Sequence, residues 1–288
     1  MQLNHTATRE GRLSAILRED MKLSAGLMNR LKWDDRILVN GLPQHTDYAV
    51  KIGDTVSVLM DEPQPQYPAE DGDLQILYED EYILAVDKPA GMLIHPSRSR
   101  DTGTLANLVI GYYQRQGLPA AFHPLTRLDR DTFGIVLLAK NAYAHALLQT
   151  TALQKTYHAL TFGGPDADEG IIDAPIQRLP LPSLLRQVHP DGKPSVTNFT
   201  VLQRGKLCKL ALQPITGRTH QLRVHCAHMG FPILGDPQYG SDASKALSAQ
   251  LALPYQQLCA KRLDFIHPIT GEPLTLESRM EVPEFNFC

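Results

Sequence analysis

The chain has 288 residues, a formal net charge of −3 and a sequence pI of about 6.4. With 43% hydrophobic and 20% charged residues it has the make-up of an ordinary globular protein. The acidic balance excludes a bulk electrostatic binder of nucleic acid, so any such surface has to be a local patch, and no run of 18 apolar residues supplies a membrane-spanning helix.

Leu13, Ile16 and Leu17 recur at helical spacing, and Ser24 is placed to cap a second helix carrying Leu27, Met28 and Leu31. Ile37-Leu38-Val39 reads as a short strand entering an Asn40-Gly41 turn, and Val56-Ser57-Val58 as another strand after Gly53-Asp54. Residues 1–62 are therefore expected to form one small module in the order helix, helix, strand, turn, strand. The run from Glu62 to Asp73 is rich in proline and polar residues with little to bury, and residues 63–73 read as a semi-extended linker. Beyond it, residues 74–288 alternate short strands, turns and a few helices. Ile83-Leu84-Ala85-Val86 and Ile135-Val136-Leu137-Leu138-Ala139 are apolar runs of the buried-strand type, and Asn141 can cap a helix through about Leu153. The pattern is neither a β-α-β alternation nor all-β, which favours a mixed α+β fold. Cys208, Cys226, Cys259 and Cys288 form no Cys-x-x-Cys pair and are expected to be reduced thiols. The start, Met1-Gln2-Leu3-Asn4-His5-Thr6, lacks the basic start and apolar core of a signal peptide, so a cytoplasmic protein is expected.

Two stretches carry chemistry. In Thr126-Arg127-Leu128-Asp129-Arg130-Asp131, charges sit just before the buried run from Ile135, and a polar loop pinned to a rigid strand suits a catalytic group. On pattern alone a solvated loop with incidental charge fits equally well. From His220 to Cys226 the alternation predicts a strand, with Leu222, Val224 and Cys226 on one face and Gln221, Arg223 and His225 on the other. The same strand argues against zinc, because His220 and His225 would point to opposite faces. Asp166-x-Asp168-Glu169-Gly170 lacks the terminal glutamate of a calcium loop.

Four separated stretches resemble the RluA-type pseudouridine synthases. Asp87-Lys88-Pro89-Ala90-Gly91 is similar to that family's opening Lys-Pro-x-Gly signature, and Arg127-Leu128-Asp129 to its catalytic Arg-Leu-Asp motif. Lys155-Thr156-Tyr157 resembles its Lys-x-Tyr stretch, and Gly217 through Tyr239, with Arg218-Thr219-His220-Gln221 and Pro232-Ile233-Leu234-Gly235-Asp236, its closing motif. The stretches occur in family order and span the chain after the linker. Two positions depart: Thr126 stands where many members have His, and Phe133 where many have Ser. Residues 1–62 resemble the S4-like RNA-binding domain shared by a ribosomal small-subunit protein and tyrosyl-tRNA synthetases, through Met21-Lys22-Leu23-Ser24, Val39-Asn40-Gly41 and Val50-Lys51-x-Gly53-Asp54.

The resemblance implies a mixed, largely antiparallel central sheet flanked by helices and loops in residues 74–288, with a small N-terminal α/β RNA-binding domain. It implies isomerisation of specific uridines in RNA, with ribosomal RNA of the large subunit favoured and transfer RNA the alternative. No hydride moves and no phosphate is cleaved in that reaction, so neither a cofactor nor a metal is expected, and a monomer without an obligate protein partner or a membrane is. Asp129 would be the catalytic carboxylate, kept ionised by Arg223, with Arg218 the alternative arginine. Uridine stacked in RNA is out of reach, so the base must flip outward. Arg127 would fill the vacated space, Tyr157 would stack on the uracil, Leu222 would close the pocket, and His220 and Gln221 would line the substrate site. Without the resemblance, Tyr157 reads as a core tyrosine of a strand. Lys88 is open between a phosphate contact and a brace paired with an acid, and Asp131 is expected to be structural. A catalytically silent RNA-binding or ribosome-assembly factor of the same fold, and a glycoside or nucleoside hydrolase using Asp129 and Asp131, are the competing readings.

Overall fold

The computed structural model describes residues 2–61, 65–97, 101–118 and 121–285. Glu62, Pro63 and Gln64 at the start of the expected linker, and Cys288, lie outside the described residues.

In the N-terminal module the helical spacing holds. Leu13, Ile16 and Leu17 are fully buried, on a short helix Leu13–Ala15 that runs into a wider turn, Ile16–Asp20. Ser24 caps the helix Ala25–Leu31, its hydroxyl accepting from the Leu27 N–H at 3.2 Å. The expected strands are present as Ile37–Val39 and Thr55–Leu59, and they pair antiparallel. The expected element order lacked the two-residue strands Gly11–Arg12, Leu42–Pro43 and Ala49–Val50 and one longer strand, Gln2–Thr6, which pairs with Thr55–Leu59. Of its five residues only Leu3 is buried, so no apolar alternation marked it. Tyr143, from beyond residue 74, completes this module's core, and its hydroxyl donates to the Met21 carbonyl at 2.7 Å.

The larger part is built on a ten-stranded sheet. Its central path runs Glu169–Asp173, Val196–Gln203, Leu207–Pro214, Gln154–Phe162, Leu258–Ile266, Phe133–Ala139, Ile83–Lys88, Ile76–Glu79. Neighbours pair antiparallel throughout this path except Phe133–Ala139 with Leu258–Ile266, which are parallel. The architecture is α+β with a largely antiparallel sheet. Both apolar runs expected to be buried strands lie inside it and are buried on both faces. Gly134 permits the parallel contact: its φ is +107°, and a Cβ there would collide with the backbone of Ala260.

Asn141 caps a helix as expected, but the helix ends at Leu148 instead of near Leu153. Residues 67–71 do not run free. The Glu70 carboxylate accepts from the Gly103 N–H at 2.7 Å, the Pro68 carbonyl accepts from Asn107, and Asp71 pairs with Arg115. The run is thereby laid along the helix Leu105–Arg115.

The largest difference from expectation lies at residues 221–228, which form a helix, Gln221–His228, and not a strand. Alternation identifies a strand only when one face is wet, and here Gln221 through Cys226 are all buried. The helix brings i and i+4 together instead: Gln221 and His225 both reach the Thr197 hydroxyl, at 3.0 and 2.9 Å, while Leu222 and Cys226 share one apolar cluster.

Candidate active site

A cleft of about 570 Å³ opens over the middle strands of the sheet, where the loop before Phe133–Ala139, the strand Gln154–Phe162 and the start of the helix Gln221–His228 converge. All eight residues singled out from the sequence border it: Asp129, Tyr157, Arg223, Arg127, Leu222, Arg218, His220 and Gln221.

Asp129 sits in a turn closed by the Thr132 N–H on its carbonyl, 3.2 Å away. The loop is pinned to the sheet from behind. Thr126, the first departure from the family pattern, uses its buried hydroxyl to accept from the Leu137 N–H at 2.9 Å. Phe133, the second, is buried at the start of its strand. Lys88 is fully buried and donates to the carbonyls of Pro89, Met92 and Arg130 at 2.8–3.0 Å, so it ties two loops together and, among the described residues, forms no ion pair with an acid. Burial holds its ammonium down at about 8 despite the nearby charges of Asp131 and Asp129. Asp131 is taken by Arg130, at 2.8 and 2.9 Å, and does not line the cleft.

Arg223 is the hub. It is 5% exposed and donates through Nη1 to Asp129 Oδ2 at 2.9 Å. Its Nε and Nη2 donate side by side to Asp236, at 2.7 and 2.9 Å, and Nη2 also reaches Gln238. Burial disfavours the charged guanidinium, but the hydrogen bonds and charge of Asp236, then of Asp129, outweigh it and hold Arg223 above its ordinary range. The alternative arginine, Arg218, lies at the exposed rim, its Nε on the Pro194 carbonyl at 3.2 Å.

His220 opens the helix in a left-handed conformation, φ +58°, uncommon for a residue with a Cβ. Its Nδ1 meets the Tyr239 hydroxyl at 2.8 Å, and Nε2 lies 3.9 Å from Asp129. Burial, only partly offset by Asp129, lowers its pKa, so the ring is neutral near pH 7. Gln221 uses its whole amide on the protein. Its oxygen accepts from Thr216 and the Arg218 N–H, and its nitrogen donates to Val196 and Thr197. Gln221 therefore fixes the loop before the helix. His225 is also committed, with Nδ1 on Thr197 and Nε2 on the Ala174 carbonyl. Among the described residues no group of three or more His, Cys, Asp or Glu is placed to hold a metal ion.

Tyr157 packs between two apolar clusters and faces the cleft. Burial, reinforced by the Asp129 charge, raises its phenol well above the ordinary range and keeps it neutral. Arg127 is exposed over the same opening.

The arrangement presents one carboxylate, 29% exposed, on a buried cation, in a cleft that the Tyr157 ring and the exposed Arg127 also line. The profile of the RNA pseudouridylate synthase family matches residues 82–228, just over half the chain. A Bacillus subtilis protein described as "Uncharacterized RNA pseudouridine synthase YjbO" is 38% identical over 261 residues, covering 88% of this chain and 90% of its own. The chain belongs to the RNA pseudouridylate synthase family. This pseudouridine synthase is also 37% identical over 231 residues to the "Ribosomal large subunit pseudouridine synthase D" of Pseudomonas aeruginosa, covering 75% of this chain and 71% of that one. Its fold matches the solved structure of human RNA Pseudouridylate Synthase Domain Containing 4, with a TM-score of 0.58 at 26% identity over 73% of this chain and 88% of that one.

Sequence reasoning gave no role to Asp236, Tyr239 or Lys155 of this synthase. Asp236 is 2% exposed and anchors the hub. Its signal was an acid closing the apolar run Pro232-Ile233-Leu234-Gly235, with Gly235 at φ +72° where a side chain would collide with the Tyr255 carbonyl. Tyr239 lies under the Arg223 guanidinium, 4.9 Å from its ring centroid. Lys155 lines the cleft, its ammonium held below the ordinary range by burial.

Proposed function

We propose that this enzyme is an RluA-type synthase that isomerises specific uridines of large-subunit ribosomal RNA, with Asp129 as nucleophile and the uridine flipped into the cleft. The observation that carries the reading is the Asp129–Arg223–Asp236 chain. It gives a buried cation two carboxylates, one sealed inside and one open to the cleft. A carboxylate so placed is held in one orientation for attack. The reaction breaks the bond from ribose C1′ to N1, turns the free base and forms the bond from C1′ to C5. The proton lost from C5 is balanced by one gained at N1, so no electrons are exchanged. Tyr157 stacks on the flipped uracil and Leu222 closes the pocket beside it. Arg127 takes the place the base leaves in the RNA, because a planar cation both stacks and binds phosphate.

The ribosomal target rests on the similarity to the large-subunit enzyme of Pseudomonas aeruginosa. Residues 1–62 serve as an S4-like RNA-holding domain. Arg12, Arg18 and Arg30 of this module form no salt bridge among the described residues, which leaves their charge for phosphate. Three buried thiols, Cys208, Cys226 and Cys259, stay unpaired, which suits the reducing cytoplasm. Mapping pseudouridines in total RNA with and without the gene tests the assignment. Loss of one or a few sites in large-subunit ribosomal RNA is expected. Loss confined to transfer RNA overturns the target, and release of free uracil overturns the isomerase chemistry.

A further inference from the structure

A second cleft, of about 430 Å³, adjoins the first and shares Arg218 and Thr219 with it. Its other wall is a hairpin of the strands Ile176–Arg178 and Arg186–Val188, together with the turn at Asp191 to Lys193. Arg178, Arg186, Lys193 and Arg218 line it, with the Asp191 carboxylate at its edge beside His189, 3.7 Å away.

The charges there are unusual for this chain. Half of the described arginines of the larger part are neutralised by carboxylates: Arg115, Arg130, Arg204, Arg223 and Arg262 all form ion pairs. Among the described residues beyond 73, the arginines without one are Arg127, Arg178, Arg186, Arg218 and Arg279. The first four line the two adjoining clefts. Arg178, Arg186 and Arg218 hydrogen-bond only to backbone carbonyls, which orients the side chains and leaves their charge uncompensated. Four of the five unpaired arginines described beyond residue 73 thus lie along these two adjoining clefts. The hairpin tip adds Leu181 and Leu184, 77% and 68% exposed. Apolar side chains beside oriented arginines suit a nucleic-acid strand, with bases as well as phosphates, better than a small anion.

We infer that the second cleft holds the RNA strand flanking the target uridine on one side, with Arg178, Arg186, Lys193 and Arg218 on its phosphates. This rests on the proposed reading of the first cleft as the uridine site. It makes the hairpin a specificity element that accepts an unpaired flank. The hairpin is also in register with the chemistry. The Arg186 N–H donates to the Tyr239 hydroxyl at 2.9 Å, the same hydroxyl that meets His220 beside Asp129.

The test compares wild type with Arg178→Gln, Lys193→Gln and the double variant, each confirmed folded by its melting curve. Both side chains are exposed, so the single variants stand in for each other if the double variant misfolds. The probe is a ribosomal RNA fragment carrying the mapped uridine in its loop, and two versions of it shortened on the 5′ or the 3′ side. Dissociation constants are measured over a range of potassium chloride concentrations. Each lost phosphate contact removes about 0.7–0.9 from the log–log salt slope, so the double variant should lose about 1.4–1.8. One of the two truncations should reproduce that loss, and combining it with the double variant should add little. Unchanged slopes, or full additivity with both truncations, overturn the inference. A wild-type protein that binds the fragment but forms no pseudouridine in it overturns the reading of the first cleft, while the slopes still decide the second.

Discussion

Asp236→Asn is the most informative single change, because the amide keeps the shape of the side chain and removes only its charge. The carboxylate accepts four hydrogen bonds. Oδ1 takes Arg223 Nη2 and the N–H groups of Gln238 and Tyr239, and Oδ2 takes Arg223 Nε. With its oxygen at the Oδ1 position, asparagine keeps three of them and turns an NH₂ against the Arg223 Nε–H. Breaking a buried ion pair costs about 3–5 kcal/mol. Because Asp129 remains as counter-ion and three bonds persist, the cost falls at or just below the lower end of that range, about 2–3 kcal/mol. At about 2–4 °C per kcal/mol for a domain of this size, the melting temperature should fall by about 4–12 °C. The guanidinium would then hold Asp129 less firmly, and a misplacement on the scale of 1 Å lowers turnover by about 10²-fold. Thermal unfolding and single-turnover pseudouridine formation on the same preparation read both effects. A variant with unchanged melting temperature and unchanged turnover would refute the view that Asp236 anchors the hub.

Arg223→Lys should lower turnover strongly while the protein still folds, since lysine keeps the charge but cannot span Asp236 and Asp129 with a planar fork; wild-type turnover here, with loss in Arg218→Lys, would shift the role to Arg218. Tyr157→Phe should retain RNA affinity and Tyr157→Leu should lose about 1–3 kcal/mol of it, because stacking resides in the ring; equal affinities in a filter-binding assay would count against stacking. Lys88→Met should destabilise the protein by leaving three carbonyls unserved, about 1–3 kcal/mol each at most. Lys88 also sets a pH signature. Its folded value of about 8 lies below the ordinary 10.5, so between these the unfolded chain holds a proton that the folded protein has released. Stability of wild type relative to Lys88→Met should therefore rise as pH increases through that window, and denaturant titrations showing a fall would reverse the assignment.

The fold was legible where burial and period agreed. The runs from Ile83 and Ile135 are buried on both faces and read directly as strands, and Ser24 and Asn141 announced their helices. Residues 221–226 misled because polar and apolar residues alternate along a helix that is buried all round. Each polar side chain there is satisfied by a partner distant in sequence, Thr197 or Asp236 or Ala174, which no local pattern records. The same holds for residues 67–71, whose composition suggested a free linker. Their partners, the Gly103 N–H, the carbonyl and side-chain amide of Asn107 and the Arg115 guanidinium, lie 33 to 44 residues on. Of the site, Asp129 and Arg223 were legible through the family motifs. Asp236 was visible as a residue, but its function became apparent only from its distance to Arg223.

The central claim is that Asp129 performs the chemistry on a frame that does not depend on it. Asp236 still holds Arg223 when the Asp129 charge is removed, so Asp129→Asn should fold and bind RNA normally. The deciding measurement is pseudouridine formed in the mapped ribosomal RNA fragment under single-turnover conditions, with RNA affinity measured alongside. The account predicts no pseudouridine from Asp129→Asn at undiminished affinity; pseudouridine formed at a rate close to that of wild type would contradict it.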